Sequence, residues 1–231
     1  MANRVPLPIV VAGLVFPLAC ESSSPSGPVG PMDLLWTRPI GLHAQSPQVA
    51  GGRVVYSDSG EVVALDLRSG ELAWVAEFGF FRVGPELLAA SNAVFVLGSG
   101  GELVALDAGT GDRLWEMAGC ECLPLASDQT HVFAVREGRI LAFQATTGGL
   151  AWDLPLPRLD WPLGGFAVGQ DVFCVGQNEP LASTVTCLEA ARGDLRWQNL
   201  GRERAAVTGL VATDGLVVAG TSDSSVLAFD L

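Results

Sequence analysis

Five tryptophans set the frame of this chain. Trp36, Trp74, Trp115, Trp152 and Trp197 recur at spacings of 38, 41, 37 and 45 residues. Four of them have a glycine four residues earlier: Gly70, Gly111, Gly148 and Gly193. Four residues before each glycine an apolar segment ends, as Ala64-Leu65-Asp66, Ala105-Leu106-Asp107, Ala142-Phe143-Gln144 and Cys187-Leu188-Glu189. A further copy, Ala228-Phe229-Asp230, stands at the end of the sequence. Self-similarity at a steady period of this length is the mark of a repeat architecture, in which each unit buries its apolar face only against its neighbours.

The composition of each unit says what the repeat is made of. Short runs of Val, Leu and Ala are broken by Gly, Ser and Asp, the pattern of strands and tight turns. In the second unit the expected strands are Leu87-Ala90, Ala93-Leu97, Glu102-Asp107 and Asp112-Met117, with Ala108-Gly109-Thr110-Gly111 as the turn before the last. No stretch keeps a 3.6-residue apolar period, so stacked helix pairs are excluded. About 40 residues holding four antiparallel strands make one propeller blade. The chain is therefore expected to be an all-β propeller, with the five Trp packing between blades rather than stacking on ligands.

Residues 32–231 form the expected propeller domain. Its last unit stops at Leu231 after three strands, while Asp33-Leu34-Leu35-Trp36 reads like a fourth strand (compare Asp112-Arg113-Leu114-Trp115). The expectation is a five-bladed ring in which the N-terminal strand completes the last blade and removes the exposed sheet edge. A piece of a longer propeller is the alternative.

Residues 1–19 read as a secretory signal, with Arg4 before the apolar run from Val5 to Leu18. That run is short for a membrane span and carries Pro6, Pro8 and Pro17. Leu18-Ala19-Cys20 resembles a bacterial lipobox, which implies lipidation of Cys20. The Ser/Gly/Pro-rich residues 20–31 then serve as a flexible tether. An ordinary cleaved signal is the competing reading. Envelope location follows, lipid-anchored on the periplasmic side of the outer membrane in preference to the inner membrane, or else secreted.

The charge balance narrows the partners. Twenty-five acidic residues face 13 Lys plus Arg, all of them Arg, for a formal charge of −12. Phosphate binding needs clustered cations, so nucleic acid is excluded as a partner and the membrane contact is confined to the lipid anchor. Two His leave little for a metal centre or a general base.

The pattern A-L-D-x-x-x-G-x-x-x-W resembles the PQQ-like propeller repeat over residues 34–231. With its lipobox, the chain is similar to the propeller lipoproteins of the outer-membrane β-barrel assembly machine. The resemblance implies a non-catalytic envelope scaffold that binds other envelope proteins. Quinone-dependent dehydrogenases sharing the repeat carry an adjacent Cys-Cys pair and a much larger propeller, and this sequence has neither, so no cofactor is expected. A small quinoprotein-like oxidoreductase and a ligand-binding propeller remain the alternative functions.

In a propeller the inter-blade connections emerge on one face and the tight Gly turns on the other. Long, variable loops carry recognition, and aromatic and Arg residues dominate binding hot spots. The candidate partner face therefore comprises Phe78, Phe81, Arg82, Arg158, Trp161, Arg202 and Arg204. Four cysteines remain besides Cys20. Aligning the repeats sets Cys174 with Val55 and Val96, and Cys187 with Ala64 and Ala105, which places them across one hairpin and predicts a cross-strand disulfide. Cys120 and Cys122 read as a small loop disulfide. A reducible ring and half of a metal site are the other readings of that pair.

Overall fold

The structure is a computed structural model that describes residues 33–41, 44, 47–78, 86–90, 92–98, 100–120, 122, 126–156, 163–169, 171–178, 182–203, 205–213 and 215–231. The expected signal (residues 1–19), Cys20 and the expected tether (residues 20–31) lie outside the described residues. Residues 35–231 form one compact unit.

The described residues form five antiparallel sheets and no helix. The first sheet orders β1 (Gln48–Ala50), β2 (Arg53–Asp58), β3 (Glu61–Asp66) and β4 (Leu72–Glu77) as a simple meander. The second repeats it with β5 (Glu86–Ala90), β6 (Ala93–Leu97), β7 (Leu103–Asp107) and β8 (Arg113–Met117). The third holds β9 (Ala126–Ser127), β10 (His131–Arg136), β11 (Arg139–Gln144) and β12 (Leu150–Pro155). The fourth holds β13 (Leu163–Val168), β14 (Val172–Asn178), β15 (Ala182–Glu189) and β16 (Leu195–Glu203). The fifth has three strands, β17 (Val207–Thr213), β18 (Leu216–Thr221) and β19 (Val226–Asp230). This is the β-propeller architecture that the repeat predicts.

The core lies between sheets. The middle strands of the second, third and fourth sheets are apolar on both faces because each of these sheets is packed between two others, so they read as near-continuous Val, Leu, Ala and Phe. Val55, Val62 and Ala64 of the first sheet pack against Val94, Val104 and Leu106 of the second. Phe95, Leu103 and Ala105 then meet Val132, Leu141 and Phe143 of the third. Phe133, Ile140 and Ala142 meet Phe173 and Leu188 of the fourth. Cys174, Val185 and Cys187 meet Val217 and Ala219 of the fifth.

A repeated irregularity sets the tryptophans. Each outer strand pairs with its neighbour through a register shift: Leu65 faces Leu72 but Ala64 faces Trp74, leaving Ala73 as the extra residue. The same shift leaves Leu114, Ala151 and Arg196 over, before Trp115, Trp152 and Trp197. A bulge of this kind changes the parity of the strand. It therefore turns each Trp toward the following sheet. Trp74 Nε1 donates to Ala108 O at 2.9 Å, Trp115 Nε1 to Ala145 O at 2.9 Å and Trp152 Nε1 to Ala190 O at 2.8 Å. Trp197 Nε1 is buried with no acceptor among the described residues.

The acidic residue of the motif has a local task. Asp66 Oδ1 accepts from the backbone N–H groups of Arg68 and Ser69, each at 3.0 Å, and Asp107 Oδ1 does the same for Gly109 and Thr110. These bonds close the turn between third and fourth strands. Donation from Ser69 and Arg68 holds the Asp66 carboxyl below its usual range.

The two ends of the sheet series differ from the expected ring. The inner strands follow one another, β1 beside β5, β5 beside β9, β9 beside β13 and β13 beside β17. Among the described residues no comparably extensive contact joins β17 to β1. Residues 33–41 form no strand, so β19 has no outer partner there. Trp36 nevertheless sits as the other tryptophans do, with Nε1 donating to Leu67 O at 3.1 Å. The N-terminal segment has the seat of an outer strand without its pairing.

Candidate interaction face

The turns separate two faces. The β1–β2 and β3–β4 turns lie together, since the Leu67 N–H donates to Gly52 O at 3.1 Å. The β2–β3 turn lies at the other end with the exit of β4, where the Phe78 N–H donates to Gly60 O at 2.8 Å. Inter-blade connections therefore leave from the second face, which is the loop-rich one.

Of the seven candidate partner residues the structure describes one side chain. Phe78 is half-buried and packs on the cluster between the first and second sheets. Its ring is thus a rim of the core rather than a free anchor. Phe81, Arg82, Arg158, Trp161 and Arg204 lie outside the described residues, and Arg202 lies on β16 with its side chain outside them. On the same face Arg139 pairs with Asp153. The hydrogen bond from Arg139 holds the Asp153 carboxyl below its usual range.

The opposite face carries a cleft between the third and fourth sheets, lined by Asp128, Thr130, His131, Asp171, Glu189 and Arg196. His131 opens β10, and its Nδ1 lies 2.8 Å from Thr130 Oγ1. The Asp128 carboxylate caps the turn by accepting from the Thr130 N–H at 2.6 Å. The same Asp128 oxygen accepts from the His131 N–H, so this carboxylate serves the turn. Among the described residues no group of three or more His, Cys, Asp or Glu could hold a metal ion.

Disulfides join Cys174 to Cys187 and Cys120 to Cys122. Cys174 faces Cys187 directly in the β14–β15 register. The register corrects one detail of the repeat alignment: the second-sheet residue opposite Ala105 is Phe95, so Cys174 is equivalent to Phe95 and not to Val96. Cys120 and Cys122 are both fully buried in the cluster between the second and third sheets, so their bridge is a packed element of the core. Replacing the hairpin bridge with the repeat's own residues, as Cys174→Val with Cys187→Ala, is expected to lower stability by about 2 kcal/mol. Urea unfolding of the pair variant reads this directly; an unchanged midpoint would show that the bridge adds nothing.

Bulged outer strands, the Trp–carbonyl bonds between sheets and a face of variable loops define a β-propeller of the PQQ-like repeat class. The family described as outer membrane protein assembly factor BamB matches residues 32–135 and 136–231, and the chain belongs to that family. A BamB from Shewanella oneidensis is 31% identical over 150 residues, covering 54% of this chain and 38% of that protein. Serine/threonine-protein kinase AfsK of Streptomyces coelicolor is 30% identical over 119 residues, covering 49% of this chain and 15% of the kinase. The chain thus spans well under half the length of these relatives. Among solved structures, the computationally designed Ika8 protein aligns with a TM-score of 0.64 at 19% identity, over 81% of this chain and 58% of that one.

Proposed function

We propose that this chain is a non-catalytic envelope lipoprotein that serves outer-membrane protein assembly as a protein-interaction scaffold. Residues 1–19 direct export, Cys20 carries the lipid, residues 20–31 tether the domain, and residues 32–231 form the propeller. The observation that carries the reading is the family match across both halves of the domain. Recognition falls to the loop-rich face, with Phe81, Arg82, Arg158, Trp161, Arg202 and Arg204 as its aromatic and cationic anchors. The partners are other envelope proteins.

Crosslinking in the native envelope followed by pull-down tests the scaffold. Outer-membrane assembly proteins are the expected catch, and Trp161→Ala with Arg158→Ala is expected to reduce it by more than tenfold. Capture unchanged by these substitutions would move the site elsewhere. Cys20→Ser is expected to release the protein from the membrane fraction, and full retention would reject the lipid anchor.

A further inference from the structure

On the face opposite the loop-rich one, three hollows join into a groove across the second, third and fourth sheets. The cleft between the third and fourth sheets, about 630 Å³, shares Asp128, Thr130 and Asp171 with a hollow of about 720 Å³ beside the inner strands β5, β9 and β13. That hollow shares Ala90 and Gln129 with a smaller one of about 200 Å³ between the second and third sheets. The small end is apolar, walled by Ala93, Ala145 and Leu114, and Leu114 is 46% exposed. Arg196 lines the far end. Leu114 and Arg196 hold the same place in the repeat, the extra residue of the outer-strand bulge, where the first and third sheets carry Ala73 and Ala151. Long side chains thus stand at that place in the two sheets that bound the groove.

The acidic wall of the cleft departs from the repeat. In the first sheet Asp66 Oδ1 closes its turn, and Oδ2 accepts from Arg53 Nη1 at 2.9 Å. In the second, Asp107 Oδ1 closes its turn, and Oδ2 accepts from Asn92 Nδ2 at 3.3 Å. Glu189 holds the same place in the fourth sheet, facing Val172 as Asp66 faces Arg53. Among the described residues its carboxylate has no hydrogen-bond or ion-pair partner. Asp171 stands where the second sheet has the donor Asn92: the Ala190 N–H donates to Asp171 O as the Ala108 N–H donates to Asn92 O. An acceptor has replaced a donor, and two carboxylates line one wall with no cation paired to either among the described residues. Arg196 lines the same cleft and is likewise in no ion pair there. Like charges gathered in a concave wall draw cations to it.

We infer that this groove binds an extended segment of another protein, with an apolar side chain in the hollow at Leu114 and a Lys or Arg side chain against Asp171 and Glu189. Charge complementarity selects the occupant. A cationic side chain supplies the donors that Arg53 and Asn92 give in the first two sheets, and an acidic segment is repelled. The joined hollows select a polypeptide over a lone amine, because a lone amine leaves the apolar end unfilled. The Arg196 guanidinium, free of any carboxylate, can donate to carbonyl groups of the segment. The groove lies opposite the loop-rich face, so the inference stands on its own residues and not on recognition by those loops.

The test is fluorescence anisotropy of the full chain with a fluorescein-labelled peptide of Gly and Ser that carries one Leu and two Arg. Saturable binding that weakens as salt rises is the expected result. Replacing both Arg by citrulline, which keeps the shape without the charge, is expected to weaken binding at least about tenfold. Asp171→Asn with Glu189→Gln is expected to do the same, and Leu114→Ala to weaken binding at least about threefold. Glu77→Gln, on the loop-rich face, leaves binding unchanged. Neither Asp171 nor Glu189 closes a turn through its side chain, so the doubly substituted chain keeps its tryptophan fluorescence. No binding, equal binding of the citrulline peptide, or binding unaffected by the double substitution overturns the proposal. Competition by argininamide as strong, mole for mole, as by the unlabelled peptide also overturns it, because the site then takes a single amine and no segment.

Discussion

Gly111→Ala is expected to unfold this propeller at far lower urea than Gly52→Ala, although both glycines hold a positive φ, +79° and +73°. The left-handed backbone alone costs an alanine about 1–2 kcal/mol, and that cost is common to the two variants. A Cβ on Gly52 meets nothing within 4 Å, whereas a Cβ on Gly111 would lie 2.7 and 2.8 Å from carbons of the Trp74 indole. No real Cβ contact is that short, so the indole must withdraw. Trp74 then loses its packing in the cluster between the first and second sheets and its bond to Ala108 O. Loss of a buried aromatic costs about 3–5 kcal/mol, which places Gly111→Ala about 3 kcal/mol or more below Gly52→Ala. Equal urea midpoints for the two variants would show that the Trp seat contributes nothing to stability.

Phe133→Ala carries the second large effect. Phe133 is fully buried between the third and fourth sheets, with its ring stacked on Phe173 at a centroid distance of 4.6 Å and tilted against Trp152 at 5.9 Å. Truncation opens a cavity bounded by two sheets that cannot both relax, for a loss of about 3–5 kcal/mol. Val218 holds the same repeat position in the fifth sheet, opposite Ala228 as Phe133 is opposite Ala142. It faces outward there, so in dilute solution Val218→Ala is expected to cost less than about 1 kcal/mol. Similar losses at the two positions would mean that the fifth sheet is covered as the third is.

What the sequence made legible was local, and what it hid was relational. The four strands of the second unit could be read from Ala105-Leu106-Asp107 and Trp115, because each strand is a short apolar run between turn residues. The bulge at Leu114 could not be read, because it shows only as a change of parity against Leu106 and Ala105. Two residues of the wrong parity in a short strand look like ordinary scatter. Ring closure was hidden for a related reason. The segment at Trp36 resembles an outer strand because the sequence encodes its seat on Gly70, a contact with the next sheet. Hydrogen bonding to β19 depends on the accumulated angle between five sheets, and no single residue encodes that angle. The candidate partner face was read from Arg and aromatic residues in loops, and of these only Phe78 is placed, against the core.

The bond from Trp74, Trp115 and Trp152 to a carbonyl of the following sheet also imposes an order on assembly. A chain delivered from its N-terminus makes Trp74 some 34 residues before the Ala108 carbonyl that receives it. Until that carbonyl arrives, the newest sheet has an outer strand whose bulged Trp points into water. Each sheet is therefore finished by its successor, and the growing molecule always carries one provisional blade at its advancing end. Trp197 has its following sheet, with its ring 5.2 Å from that of Phe229 on β19, although its buried Nε1 has no acceptor among the described residues.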